Sequence, residues 1–150
     1  MHRAPKQSCR SRALGLLARR EHSTQELRRK LGERGYANDE VETALAELVN
    51  ENLLSDERFT EEYVRFRANK GFGPSRLRQE LAERGISTVQ ATACMALYDW
   101  TALAVAARAK RFGRAMPEAF KDQAKQMRFL QYRGFTPEQI QNVFKQNDWE

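Results

Sequence analysis

The residues in this sequence whose types and spacing could do chemistry are cations. Arg65, Lys70, Arg76, Arg78 and Arg84 flank a Gly71-Phe72-Gly73-Pro74 break. Cationic side chains on successive helical turns can follow a phosphate backbone, a recognition that needs charge and little reading of bases. Arg28-Arg29-Lys30 upstream, and Arg108, Lys110 and Arg111 downstream, form two further basic runs. All of these residues are candidate contacts to nucleic acid or to a partner that carries it. Phe72, beside Lys70, is of a type that stacks on a base within a basic patch. The preferred reading is that it staples its loop into the core.

Catalytic chemistry is not expected. Two histidines, His2 and His22, cannot build a metal site with Cys9 and Cys94. No phosphate loop and no dinucleotide fingerprint is present. The only Gly-rich segment, residues 71–74, lacks a following Lys-Ser/Thr and reads as a helix break. Acidic pairs such as Glu61-Glu62 read as a solvated helix face. Neither catalytic residue, cofactor nor metal is therefore expected, and the chain reads as a binding protein.

The net charge of +6 is unevenly laid out. Residues 1–34 carry ten Lys/Arg against three acids, residues 35–64 nine acids against one Arg, and residues 65–85 six Lys/Arg against two acids. Blocks of opposite sign suggest one face for polyanions and another that is solvated or meets a basic partner. Cys9, in a polar leader, and Cys94, on an apolar stripe, have no paired spacing, as expected of reduced thiols in the cytosol. No apolar run is long enough to span a membrane. Met1 to Lys6 is basic without an apolar h-region, so it is not a signal peptide, and residues 1–9 are expected to be a mobile basic tail.

Helices must position these cations, because apolar residues recur at i, i+3, i+4 spacing and strand alternation never persists. Punctuation marks about nine of them. The first runs from about Arg10 to Arg20. Ser23 with Glu26, Ser87 with Gln90, and Thr136 with Gln139 are capping boxes that open the second, sixth and ninth. Asn38-Asp39-Glu40 opens the third, with Val41, Ala44, Leu45 and Leu48 inward. Ser55-Asp56-Glu57 opens the fourth, which carries Phe59, Tyr63 and Phe66. Pro74 fits the first turn of the fifth. Ala91, Cys94 and Met95 face inward on the sixth. Asp99 caps the seventh, which ends near Gly113. Pro117 opens the eighth, with Phe120, Met127 and Leu130 among its apolar residues. Ile140, Val143 and Phe144 line the ninth.

Three stretches repeat: Leu31-Gly32-Glu33-Arg34-Gly35-Tyr36, Leu81-Ala82-Glu83-Arg84-Gly85-Ile86 and Leu130-Gln131-Tyr132-Arg133-Gly134-Phe135, spaced fifty and then forty-nine residues apart. The same apolar helix face follows each one. Each Gly ends a helix in the left-handed conformation, and the large apolar residue after it packs back. Three short helices bury little alone, so stacked neighbours complete the core. The expected fold is all-α: three tandem three-helix units over residues 10–54, 55–98 and 99–150, elongated and curved, the last with a longer middle helix.

On these residues the sequence resembles the RecX family of bacterial regulatory proteins. Ser23-Thr24-Gln25-Glu26-Leu27-Arg28-Arg29-Lys30-Leu31 is similar to its first signature. Tyr63-Val64-Arg65, Lys70-Gly71-Phe72-Gly73-Pro74, Leu77-Arg78-Gln79-Glu80-Leu81 and Arg84-Gly85-Ile86 resemble its central one. Arg128-Phe129-Leu130 with Arg133-Gly134-Phe135 resembles its C-terminal one. The resemblance covers residues from about 12 to 148. It implies tandem three-helix repeats that bind the groove of the filament of the recombinase RecA on single-stranded DNA. It also implies inhibition of filament extension, and with it of ATP hydrolysis, strand exchange and co-protease activity. It carries over no catalytic residue. The implied setting is DNA repair, recombination and the SOS response; the residues themselves add the expectation of a cytoplasmic monomer with phosphate contacts to single strands and to duplex. The rival reading is a free DNA-binding transcription regulator of helix-turn-helix type, since the turns at Gly35 and Gly85 have suitable length.

Overall fold

A computed structural model describes residues 6–145. Among them lie nine α-helices and no strand. In chain order these are α1 (Cys9–Arg19), α2 (Thr24–Glu33), α3 (Asn38–Asn50), α4 (Asp56–Asn69), α5 (Pro74–Glu83), α6 (Thr88–Met95), α7 (Trp100–Phe112), α8 (Phe120–Arg133) and α9 (Pro137–Lys145). They make three tandem three-helix units.

Most of the expected boundary signals act as read. Ser23 Oγ accepts from the Glu26 amide, and Glu26 Oε1 accepts from the Ser23 amide, both at 3.1 Å. Thr136 and Gln139 make the same reciprocal pair at 2.9 and 3.2 Å. Asp99 accepts from the Ala102 amide at 3.0 Å to open α7. The three middle helices α2, α5 and α8 end in one and the same hydrogen-bonded turn. The amides of Tyr36, Ile86 and Phe135 donate to the carbonyls of Leu31, Leu81 and Leu130, closing over glycines at positive φ. This is the Schellman geometry, and the residue after each glycine is buried against its helix end. A further turn of this kind ends α4, where Phe72 donates to Arg67 across Gly71.

Two compact units form, one from residues 6–62 with 81–90 and the other from 63–80 with 91–145. In the first, Ala13, Leu27, Leu31, Val41, Ala44, Leu45, Leu48 and Leu54 build the core where α1, α2 and α3 meet. The start of α2 packs on the turn at Gly85, against which the Gln25 side chain lies. In the second unit α7 packs on α8 and α9. Val64, Ala68, Leu77, Ala104, Leu130, Phe135, Ile140 and Val143 are among its buried apolar residues, with Trp100 donating to the Met95 carbonyl at 3.0 Å. Each fully buried Leu contributes about 1.5–3 kcal/mol over an exposed one.

Several expectations need correction. Cys9 does not lie in a polar leader: it is the first residue of α1 and is buried. Residues 6–8 are described too, and the Tyr36 hydroxyl donates to the Gln7 carbonyl at 2.8 Å, which ties this end of the expected tail down. The tail expectation for residues 1–5 lies outside the described residues. Cys94 is half-buried. Phe66 is exposed, because Val64 and Ala68 take the buried side of α4. The eighth helix begins at Phe120, three residues after Pro117, and the Phe120 ring is exposed. Before it, the Arg108 guanidinium donates to the carbonyls of Gly113, Arg114 and Ala115 in the irregular segment that follows α7.

Candidate nucleic-acid interface

Within the second unit three helix ends meet at a cleft. α4 stops at Asn69, and Lys70 projects from the turn that follows. α7 contributes its last turn, with Lys110 and Arg111 exposed, as suits cations at the negative end of a helix dipole. α8 contributes Phe129 and Arg133. The cleft encloses about 350 Å³, and the residues lining it include four cations and no carboxylate. Its floor is made by small or apolar groups, Ala68, Gly71, Leu103 and Ala107. Cations gathered over an apolar floor concentrate field at the opening, which draws anions.

Arg133 is held there by geometry. Its guanidinium donates to the Lys70 carbonyl at 3.1 Å and lies 4.9 Å from the Phe129 ring centre. Phe129 in turn stacks edge-on against Phe112 at 5.3 Å. The backbone contact fixes Lys70 relative to α8, so the cleft is assembled by the fold and not by chance proximity of flexible side chains.

Beside the cleft stands an arginine cage around Phe72. Arg67 lies 3.8 Å from its ring centre, and Arg76 and Arg133 both 4.7 Å. Glu80 takes up two of these cations, accepting from Arg67 at 3.0 and 2.8 Å and from Arg76 at 3.2 Å, and it also accepts from the Tyr63 hydroxyl at 2.9 Å. Burial works against ionisation of Glu80, but the hydrogen bonds from Arg67, Tyr63 and Arg76 outweigh it and hold the carboxyl below the usual range. Phe72 therefore anchors its loop, as preferred from the sequence, but it does so on guanidinium planes.

The other candidates divide by environment. Arg65 is exposed on α4. Arg76 is bound to Glu80 and also donates to the Tyr132 carbonyl at 3.4 Å. Arg78 is half-buried, and its Nε is buried without a hydrogen-bond partner. Arg108 is 3% exposed and donates to Gln126 Oε1 at 3.0 Å as well as to the three carbonyls, so it is an internal strut and not a surface cation. In the first unit, Arg28 makes a two-point pair with Glu42 at 2.9 and 3.0 Å. Arg29 is exposed, 3.9 Å from Glu33, and Arg84 lies 3.8 Å from Glu26. Lys30 touches His22 Nε2 at 2.9 Å.

The fold thus brings Lys70, Lys110 and Arg111 together across forty residues of sequence. It adds Arg133, which sequence reasoning treated as part of a structural turn. The signal for it was present, because Arg133 is the Arg of the repeated Arg-Gly pair. No group of His, Cys, Asp and Glu is placed to hold a metal ion among the described residues. Among them, too, no helix is long and apolar enough to cross a membrane.

Three tandem three-helix units with a cationic cleft define a helical-repeat protein. Comparison with known proteins narrows this. The models of the first, second and third three-helix domains of RecX match residues 9–48, 55–95 and 98–144. The regulatory protein RecX of Pseudomonas fluorescens (strain SBW25) is 41% identical over 142 residues, covering 92% of this chain and 90% of that one. That of Halorhodospira halophila (strain DSM 244 / SL1) is 42% identical over 139 residues, covering 91% and 86%. The crystal structure of RecX from Lactobacillus salivarius superposes with a TM-score of 0.79 at 22% identity, over 95% of this chain and 96% of that one. A second crystal structure of a regulatory protein RecX gives 0.79 at 24% identity, over 91% and 71%. The chain belongs to the RecX family of regulatory proteins.

Proposed function

We propose that this protein is a negative regulator of the recombinase RecA. It binds the groove of the RecA–single-stranded DNA filament and inhibits filament extension, and with it ATP hydrolysis, strand exchange and co-protease activity. The observation that carries this reading is membership of the RecX family across all three helical units. The cleft supports its DNA-binding half. Lys70, Lys110, Arg111 and Arg133 offer charge with no competing carboxylate in the lining, which suits phosphates and is indifferent to base sequence. Arg65 and Arg29, both exposed, are further candidates for phosphate or for acidic protein surface. The acidic stretch from Asp39 to Glu62 faces basic surface of a RecA protomer. Several weak contacts on one scaffold add through effective concentration, so one cytoplasmic monomer holds a filament firmly without a single strong site.

The test is RecA's DNA-dependent ATPase under filament-forming conditions, with this protein added well below equal molar amounts. Progressive loss of ATP hydrolysis is expected. Undiminished hydrolysis would remove the reading.

A further inference from the structure

We propose that Phe66 is a stacking platform for a base of single-stranded DNA whose phosphates occupy the cationic cleft. The inference rests on the DNA-binding half of the function proposed above and deepens it by naming where a base goes.

Phe66 is 57% exposed on α4, so much of its ring is open to a ligand. Asn69, three residues on, shares its side of the helix, Lys70 follows in the turn after it, and both line the cleft. The Lys70 ammonium lies 4.6 Å from the ring centre. Cation and ring thus adjoin, and Lys70, which also lines the cleft, links the two. A strand that places a phosphate on Lys70 brings the adjacent base to the ring. Every base has a π-face, so the contact is tolerant of sequence, like the phosphate contacts beside it. In a duplex the bases are already stacked on one another, so this platform selects single strands.

Two other aromatics of the region, Phe72 and Phe129, are half-buried and less open than Phe66. Phe72 is enclosed by Arg67, Arg76 and Arg133 at 3.8 to 4.7 Å. Phe129 is occupied by Phe112 and Arg133.

The test uses the full chain, with Phe66→Leu and Phe66→Trp, and two oligonucleotides of equal length, oligothymidylate and an abasic strand with the same phosphates. Binding is followed by anisotropy over a salt series. Phe66→Leu is expected to weaken oligothymidylate binding about five- to a hundred-fold while leaving its salt slope and abasic binding unchanged. Phe66→Trp is expected to retain affinity and to show indole quenching by oligothymidylate and not by the abasic strand. Unchanged oligothymidylate binding by Phe66→Leu, with salt-dependent binding intact, overturns the platform alone. So does an equal loss on both strands. A wild-type protein whose binding is absent or flat in salt overturns the DNA-binding reading and the platform with it.

Discussion

The Gly73 amide donates to the Arg133 carbonyl at 2.8 Å, and the Ser75 amide donates to the Gly134 carbonyl at 2.9 Å. Two turns far apart in sequence are thereby joined backbone to backbone, the entry to α5 against the exit of α8. A Cβ on Gly73 would stand 2.5 Å from the carbonyl carbon of Gly134 and the nitrogen of Phe135. These are main-chain atoms, which cannot swing aside. Gly73→Ala is therefore expected to destabilise by about 3 kcal/mol and to lower Tm by about 6–12 °C in a thermal melt. A melt within 2 °C or so of wild type would mean that the docked turns are not held this closely.

Glu80 fastens the same region through side chains. It receives Tyr63, Arg67 and Arg76, and no neutral group of its size can accept from all three with equal strength. Glu80→Gln is expected to cost about 2–3 kcal/mol. The sign of the pH effect follows from the depressed carboxyl. Its contribution is full above the unfolded value near pH 4.3 and is lost as pH falls through the lower folded value. Chemical denaturation from pH 5 downward should show a steeper loss for wild type than for Glu80→Gln. Parallel curves would detach Glu80 from acid stability.

The repeat was legible because its signal is local. A helix that ends in Leu-x-x-Arg-Gly plus an apolar residue can close its own turn whatever surrounds it, and all three do so. The fate of the cations was not legible. Arg76 and Lys70 look alike in sequence, yet Arg76 meets Glu80 one turn along its helix and Lys70 meets open cleft. Arg108 sits among Lys110 and Arg111 in a basic run, but helical spacing turns it inward, where broken backbone after Gly113 presents free carbonyls. The exposure of Phe66 was likewise not legible without knowing that Val64 and Ala68 would claim the buried side of α4. Local patterns determine turns and caps; long-range partners determine which charge and which ring remain for a ligand.

His22 provides a test in the first unit. Its Nδ1 lies 3.0 Å from the Arg20 carbonyl, which can only accept, so Nδ1 carries the proton and Nε2 accepts from the Lys30 ammonium. Burial lowers the His22 pKa, and the charges of Arg20 and Lys30 lower it further, against Glu26 and the Arg20 carbonyl, which favour the cation. A depressed histidine binds fewer protons folded than unfolded. Its contribution is present above the unfolded value of about 6.5 and is lost as pH falls through the folded value. The His22 ring proton resonances should titrate below that value in an NMR series. A midpoint at or above it would show that the imidazole is not held neutral by its neighbours.

Arg108 and the pair Lys110 and Arg111 should respond in opposite ways to removal. Arg108 is enclosed, and its donors satisfy three backbone carbonyls and Gln126. Arg108→Met removes the buried donor to Gln126 and the strut to the three carbonyls and is expected to destabilise by about 1.5–3 kcal/mol, as loss of hydrogen bonds from a charged group does. Lys110 and Arg111 are exposed at the cleft and hold little of the fold. Replacing both with Ala is expected to leave Tm within about 2 °C. In the proposed DNA-binding mode it should also reduce the log–log salt slope for single-stranded DNA by about 1.4, two phosphates at about 0.7 each. A melt and a salt titration on each variant separate the roles. A slope that survives the double replacement would move the phosphate contacts away from this cleft. An Arg108→Met protein as stable as wild type would show that the carbonyls after Gly113 find other donors.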